Sequence, residues 1–92
     1  MKELRNRVAV VTGAASGIGR GIALALAGEG MRVAVADLDA AGAEGVAAEL
    51  GGGAFPLALD VTSNESLEAG AKTVAAKGGA SLLVNNAGVM LP

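Results

Sequence analysis

Thr12-Gly13-Ala14-Ala15-Ser16-Gly17-Ile18-Gly19-Arg20 is flanked by two different periodicities, and the change between them decides the fold. Before it, Val8-Ala9-Val10-Val11 is continuously apolar and mostly β-branched, as a strand buried on both faces requires. After it, Ile18, Ile22, Ala25 and Leu26 recur at i, i+4, i+7 and i+8, which predicts an amphipathic helix that Gly30 closes. A glycine-rich turn between strand and helix suits an anion. Glycines reach torsions closed to other residues, let a phosphate approach the backbone and let helix and strand pack tightly. The helix N-terminus adds free N–H groups and about half a positive charge. No Gly-Lys-Ser/Thr follows, which excludes a Walker A loop. Taken alone, the segment also fits an ordinary glycine-rich connection.

The same alternation continues outward. Arg32-Val33-Ala34-Val35-Ala36 reads as a second strand. Asp39 is placed to cap a second helix with Ala43, Val46, Ala47 and Leu50 inward, ended by Gly51-Gly52-Gly53. Ala54 to Leu59 reads as a third strand, with Pro56 near its start, where an edge position tolerates it. Thr62-x-x-Glu65 has the form of a capping box opening a third helix, with Leu67, Ala71 and Val74 inward and Gly78-Gly79 as its stop. Ser81-Leu82-Leu83-Val84 is the fourth strand, running into Asn85-Asn86-Ala87-Gly88. The whole is one β-α-β-α-β-α-β domain over residues 1–92, an α/β fold with parallel strands and right-handed crossovers. Gly42, Gly45 and Gly70 inside the expected helices each cost up to about 1 kcal/mol relative to alanine.

The composition narrows the chemistry. Hydrophobic residues make up 52% of the 92 and charged ones 17%, which specifies a globular chain. Seven scattered Lys and Arg against nine acidic residues form no basic face for nucleic acid. The absence of cysteine and histidine removes disulfides, thiolate metal sites and the commonest general base. The N-terminal apolar run is too short for a membrane span and lacks a signal-peptide cleavage pattern, so a cytoplasmic location is expected.

Three further signals sit at expected strand ends. Asp37 ends the second strand some 20 residues past the glycines, where a carboxylate accepts hydrogen bonds from the hydroxyls of an adenosine ribose. It would repel a 2′-phosphate. Leu38 follows it instead of an arginine and Ser16 is not basic, so NAD is favoured over NADP. Asp39 is the better cap for the helix, which leaves Asp37 free. Asp60-Val61 follows the third strand. There an aspartate accepts from an adenine amino group while valine packs the ring; a loop aspartate that assists the Thr62 cap is equally compatible. Asn85 and Asn86 follow an apolar run, and amides so placed are costly to bury unless hydrogen-bonded. They fit a fixed polar knot with Ala87 and Gly88 open to a ribose, or a simple turn cluster.

Taken together, these motifs make the chain resemble the short-chain dehydrogenase/reductase family. Thr12-Gly13-x-x-x-Gly17-Ile18-Gly19 is similar to its glycine motif, Asn85-Asn86-Ala87-Gly88 to its second signature and Asp60-Val61 to a third. The resemblance implies a Rossmann-type doubly wound sheet with these strands ordered 3-2-1-4. It implies NAD held across Gly13, Ser16, Gly17, Ile18 and Gly19, with the ribose on Asp37 beside Leu38 and adenine against Asp60 and Val61. Asn86, Ala87 and Gly88 would lie beside the adenosine ribose, and Asn85 would brace the central strands. Members interconvert alcohols and carbonyls by hydride transfer, usually as dimers or tetramers.

The departure from the family is as informative. The family's catalytic Ser, Tyr-x-x-x-Lys pair and further Asn lie downstream of the second signature, whereas this sequence ends at Pro92 and has no tyrosine. The chain is therefore expected to be the NAD-binding amino-terminal part of an oxidoreductase, with no catalytic or metal-binding residue of its own and no activity alone. The alternatives are a stand-alone nucleotide-binding or self-assembling half-Rossmann module, and a chain whose catalysis another polypeptide completes. A fourth strand apolar on both faces and left at an edge is expected to pair with another copy or with the remainder of the chain. Substrate and oligomeric state are not written in these residues.

Overall fold

A computed structural model describes residues 4–86; the expectations for Ala87 and Gly88 fall outside them. Seven elements alternate: β1 (Val8–Thr12), α1 (Gly17–Gly28), β2 (Arg32–Asp37), α2 (Ala40–Leu50), β3 (Phe55–Ala58), α3 (Asn64–Ala76) and β4 (Ala80–Asn85). The strands form one parallel sheet in the order β3-β2-β1-β4. This is the Rossmann-type arrangement, with its reversal of strand order between β1 and β4.

β1 lies in the middle, and all five of its residues are buried. Alternate strand residues feed opposite faces, as the two-residue side-chain period demands. Val11, Val33 and Val35 pack with Ala14, Ala23, Ala43, Val46 and Ala47 under α1 and α2. Val8, Val10, Ala34 and Ala36 pack with Phe55, Leu57 and Val74 on the α3 side. Pro56 is exposed on β3, an edge strand where its missing N–H breaks no ladder.

Three local expectations are corrected. The buried stripe of α1 is Gly19 and Ala23, with Ile22, Leu26 and Ala27 half-buried against the core; Ala25 is exposed and Ile18 is 77% exposed. Gly19 packs against the Gly13 carbonyl just past β1 with no room for a Cβ, and the buried stripe is set one residue on from the expected one. The cap of α3 is Ser63, whose hydroxyl accepts from Ser66 N–H at 3.1 Å. Thr62 lies one residue before that cap, and its N–H and hydroxyl both donate to Asp60 Oδ1, at 2.9 and 2.6 Å. On α3, Gly70 and Val74 are buried, but Leu67 and Ala71 are exposed. They overlook an apolar groove of about 360 Å³ bordered by Val10, Leu57, Val74 and Leu83. Among the described residues β4 pairs with β1 alone, and Leu83 is 65% exposed.

The amino ends of the strands are closed by Arg32, which donates through Nε to Asn6 O at 3.0 Å and through Nη2 to Lys77 O at 2.8 Å. Lys77 Nζ stands 5.0 Å from the centre of the Phe55 ring, within range of a cation–π attraction. Arg20 and Glu49 tie α1 to α2 through a bidentate pair, with Nε to Oε1 at 3.1 Å and Nη2 to Oε2. Both side chains are about two-fifths exposed, so the pair contributes well under about 1 kcal/mol. Among the described residues no helix is long and apolar enough to cross a membrane.

Two glycines separate propensity from packing. Among the described residues, apart from its chain neighbours and its own helix backbone, nothing lies within 4 Å of where a Cβ on Gly45 would sit, whereas a Cβ on Gly19 would strike the Gly13 carbonyl and come within 2.7 Å of Asn86 Nδ2. Gly45→Ala is expected to stabilise the chain by about 0.5–1 kcal/mol through helix propensity. Gly19→Ala should destabilise it by about 1–3 kcal/mol through overpacking. Denaturant melts that moved both variants in the same direction would contradict this assignment.

Candidate functional site

The carboxyl ends of the four strands carry the sequence-derived candidates, and the glycine turn lies at their centre. Gly13 and Gly17 hold φ at +67° and +61°, the left-handed region that side chains resist. Among the described residues, apart from its chain neighbours and its own helix backbone, nothing lies within 4 Å of a Cβ built on Gly17. The turn is tied to β2 by two consecutive amides. Ala14 N–H donates to Ala36 O at 3.1 Å and Ala15 N–H to Asp37 Oδ2 at 2.9 Å.

The three helices begin differently. Asp39 caps α2 by accepting from Gly42 N–H at 2.9 Å, and Ser63 caps α3. At α1 the cap residue is Ser16, whose side chain makes no capping bond. The bond from Arg20 N–H to Ser16 O, at 3.3 Å, opens the helical ladder, so the N–H groups of Gly17, Ile18 and Gly19 precede it and have no helical acceptor. No acidic side chain stands in this first turn. This positive end of the helix thus carries backbone donors that no side-chain cap holds.

Asp37 is a hub. Its carbonyl accepts from Leu59 N–H at 3.0 Å, Oδ1 accepts from Asp39 N–H at 3.0 Å and Oδ2 accepts from Ala15 N–H. A carboxylate offers about four lone-pair sites, so capacity for further donors remains. Leu38, beside it, is 73% exposed. Arg20, the basic residue closest in sequence to the turn, is committed to Glu49.

Asp60 occupies the loop after β3. Its N–H donates to Ser66 Oγ at 2.9 Å and its carbonyl accepts from Ser63 N–H at 3.0 Å. Oδ1 holds Thr62 through both hydroxyl and amide. These bonds, the hydroxyl first, hold the carboxyl below its ordinary value of 3.8. Oδ2 has no partner among the described residues. Asp60 thus organises the approach to the Ser63 cap, a loop role that the sequence left open. Val61 is 40% exposed.

At the end of β4 the two amides take different partners. The Thr12 hydroxyl is directed at Val84 O, 3.3 Å away, and at Asn85 Oδ1, 3.2 Å away. Asn86 Nδ2 donates to Gly13 O at 3.3 Å. Asn85 therefore braces β1 against β4, and Asn86 is fastened to the glycine turn itself. Ile18 in the first turn of α1, Leu38 after β2 and Val61 after β3 are all exposed. Sequence reasoning missed the Ala15–Asp37 bond and the Asn86–Gly13 bond. Both join segments distant in the chain, and no local pattern announces either.

Comparison with known proteins places this geometry. A family model for short chain dehydrogenases matches residues 7–92. A D-threitol dehydrogenase from Mycolicibacterium smegmatis is 53% identical over 90 residues, 94% of this chain and 35% of that protein. A galactitol 2-dehydrogenase from Agrobacterium fabrum is 47% identical over 87 residues, 94% of this chain and 34% of that protein. Among solved structures, a 3-ketoacyl-(acyl-carrier-protein) reductase from Brucella melitensis, complexed with NADH, superposes with a TM-score of 0.82 at 36% identity, over 88% of this chain and 34% of that one. The chain spans about a third of the length of the curated relatives it matches. With its parallel 3-2-1-4 sheet, its glycine turn and the Asn85-Asn86 pair at the end of β4, the chain belongs to the short-chain dehydrogenase family of oxidoreductases.

Proposed function

We propose that this chain is the NAD-binding amino-terminal part of an oxidoreductase that interconverts alcohols and carbonyls. The observation that carries the proposal is the uncapped start of α1, at the end of a turn whose Ala15 amide is held by the Asp37 carboxylate. A nicotinamide dinucleotide supplies the hydride chemistry when bound. In this proposal the chain's own residues bind and orient it. Gly13, Ser16, Gly17, Ile18 and Gly19 receive the pyrophosphate. Asp37 accepts from the adenosine ribose, with Leu38 alongside. Asp60 Oδ2 and Val61 face the adenine. Asn86 contributes beside the ribose, together with Ala87 and Gly88. The catalytic serine and the Tyr-x-x-x-Lys pair would come from sequence outside these 92 residues, which contain no tyrosine.

The preference for NAD rests on Asp37. Its charge opposes a 2′-phosphate, and Arg20, which would attract one, is paired with Glu49. Charge-assisted bonds to ribose hydroxyls are worth about 1.5–3 kcal/mol each. Asp37→Ser is therefore expected to weaken NAD binding by about 10- to 100-fold and to narrow the gap to NADP. Calorimetric titrations that left both affinities unchanged would remove Asp37 from the site.

Asp60 provides a pH signature. Its carboxyl is held low in the folded chain by Thr62. The stabilisation it lends the 60–63 loop is thus complete above the unfolded-state value and fades as pH falls through the lower folded one. Carboxyl carbon shifts in NMR should give a midpoint below 3.8. A midpoint at or above that value would refute the Thr62 contacts.

We also propose that the 92-residue chain self-associates through β4. Among the described residues that strand has an unpaired edge, with exposed Leu82 and Leu83 next to the apolar groove under α3, a combination that recruits further strands. Sedimentation should show mass rising with concentration, and Leu83→Lys should suppress the rise. A wild-type chain that stayed monomeric up to about millimolar concentration would overturn this part of the proposal.

A further inference from the structure

We propose that Asp37 is also the strut that holds the glycine turn in its binding shape, a positioning residue for the α1 amides before any ligand arrives. The inference rests on the anion-site reading of α1 given above and adds a second task for the same side chain.

The geometry assigns that task. Beyond Thr12 the β1–β2 ladder is continued by one backbone bond, Ala14 N–H to Ala36 O at 3.1 Å. The next amide has no backbone acceptor to meet. Ala15 N–H turns to the Asp37 side chain instead, at 2.9 Å. The other carboxylate oxygen takes Asp39 N–H at 3.0 Å, and Asp39 in turn caps α2 through Gly42 N–H. A single carboxylate thus clamps the middle of the turn to the first turn of α2. The fit is tight on that side: a Cβ on Gly42 would lie 3.1 Å from the Ala15 Cβ. Asn86 fastens Gly13 from the β4 side. Between Gly13 and the start of α1, Ala15 is the turn's side-chain-held anchor to β2.

The strut makes a prediction opposite in sign to simple electrostatics. Removing a negative charge beside an anion site should tighten anion binding. If Asp37 shapes the turn, its removal scatters the Gly17, Ile18 and Gly19 donors and binding weakens instead. A bare pyrophosphate has no ribose, so its affinity reports the turn and not the sugar contact.

Two measurements on wild-type chain, Asp37→Ala and Asp37→Asn test this. In the ligand-free chain, Asp37→Ala should speed Ala15 amide exchange at least about tenfold and move the Gly13–Gly17 resonances. Asp37→Asn, which keeps an acceptor oxygen, should restore part of both effects. Unaltered protection of Val10 and Val11 in β1 certifies that a variant is folded, and where Asp37→Ala fails that check, Asp37→Asn against wild type decides by the Ala15 shift. Inorganic pyrophosphate should bind Asp37→Ala at least a few-fold more weakly than wild type. Unchanged Ala15 exchange and shift, or pyrophosphate bound equally or more tightly by a folded Asp37→Ala, would overturn the strut. Wild-type chain that bound neither NAD nor pyrophosphate would defeat the proposed function, with Ala15 exchange still deciding the strut on its own.

Discussion

The architecture depends on one handover: a strand buried on both faces must become a helix within five residues. β1 has no exposed side along Val8–Thr12, so the chain leaves it in the middle of the sheet with neighbours on either hand. Reversing there brings α1 so close that the Gly19 position faces the Gly13 carbonyl with no room for a side chain. Positive φ at Gly13 and Gly17 completes the reversal. At the same helix start the Ser16 side chain makes no capping bond, so the first amides of α1 lie ahead of the helical ladder without a side-chain cap. The close approach and the uncapped helix start thus sit within one short turn.

Around that handover the protein arranges polar groups at one end of the sheet and closes the other. At the amino ends, Arg32 joins the Asn6 turn to the last turn of α3. At the carboxyl ends, the bonds are made by side chains reaching to backbone: Asp37 to Ala15, Asn86 to Gly13 and Asp60 to Thr62. These hold loops in shape while leaving oxygens and amides for something else. Ile18, Leu38 and Val61 remain exposed at that end, and such side chains gain by being covered.

Much of this was legible in the sequence because the signals are local. A continuous apolar run, a 3.6-residue stripe and a glycine cluster each act within a few residues, so element order, strand order and the Asp39 cap followed from pattern and resemblance. What escaped was set by competition or distance. Thr62 read as the cap of α3, but the helix starts one residue later, so Ser63 takes the role while Thr62 is held on Asp60. Leu67 and Ala71 have the spacing of core residues, yet the sheet surface they face is open, so they stay exposed. Asp37 was recognisable as a candidate from its place after β2. Its bond to Ala15 joins residues 22 apart, and only the folded register brings them together.

The brace from Thr12 to Asn85 spans 73 positions, far more than the 24-residue offset between partners in β1 and β2. Loop-closure entropy must be met before so remote a contact returns any stabilisation. The β1–β2 unit with its helix therefore closes a much shorter loop than β4 does when it docks on β1. Asn86 reaches Gly13 only across that longer loop, so the fastening of the glycine turn from this side depends on a contact between distant parts of the chain.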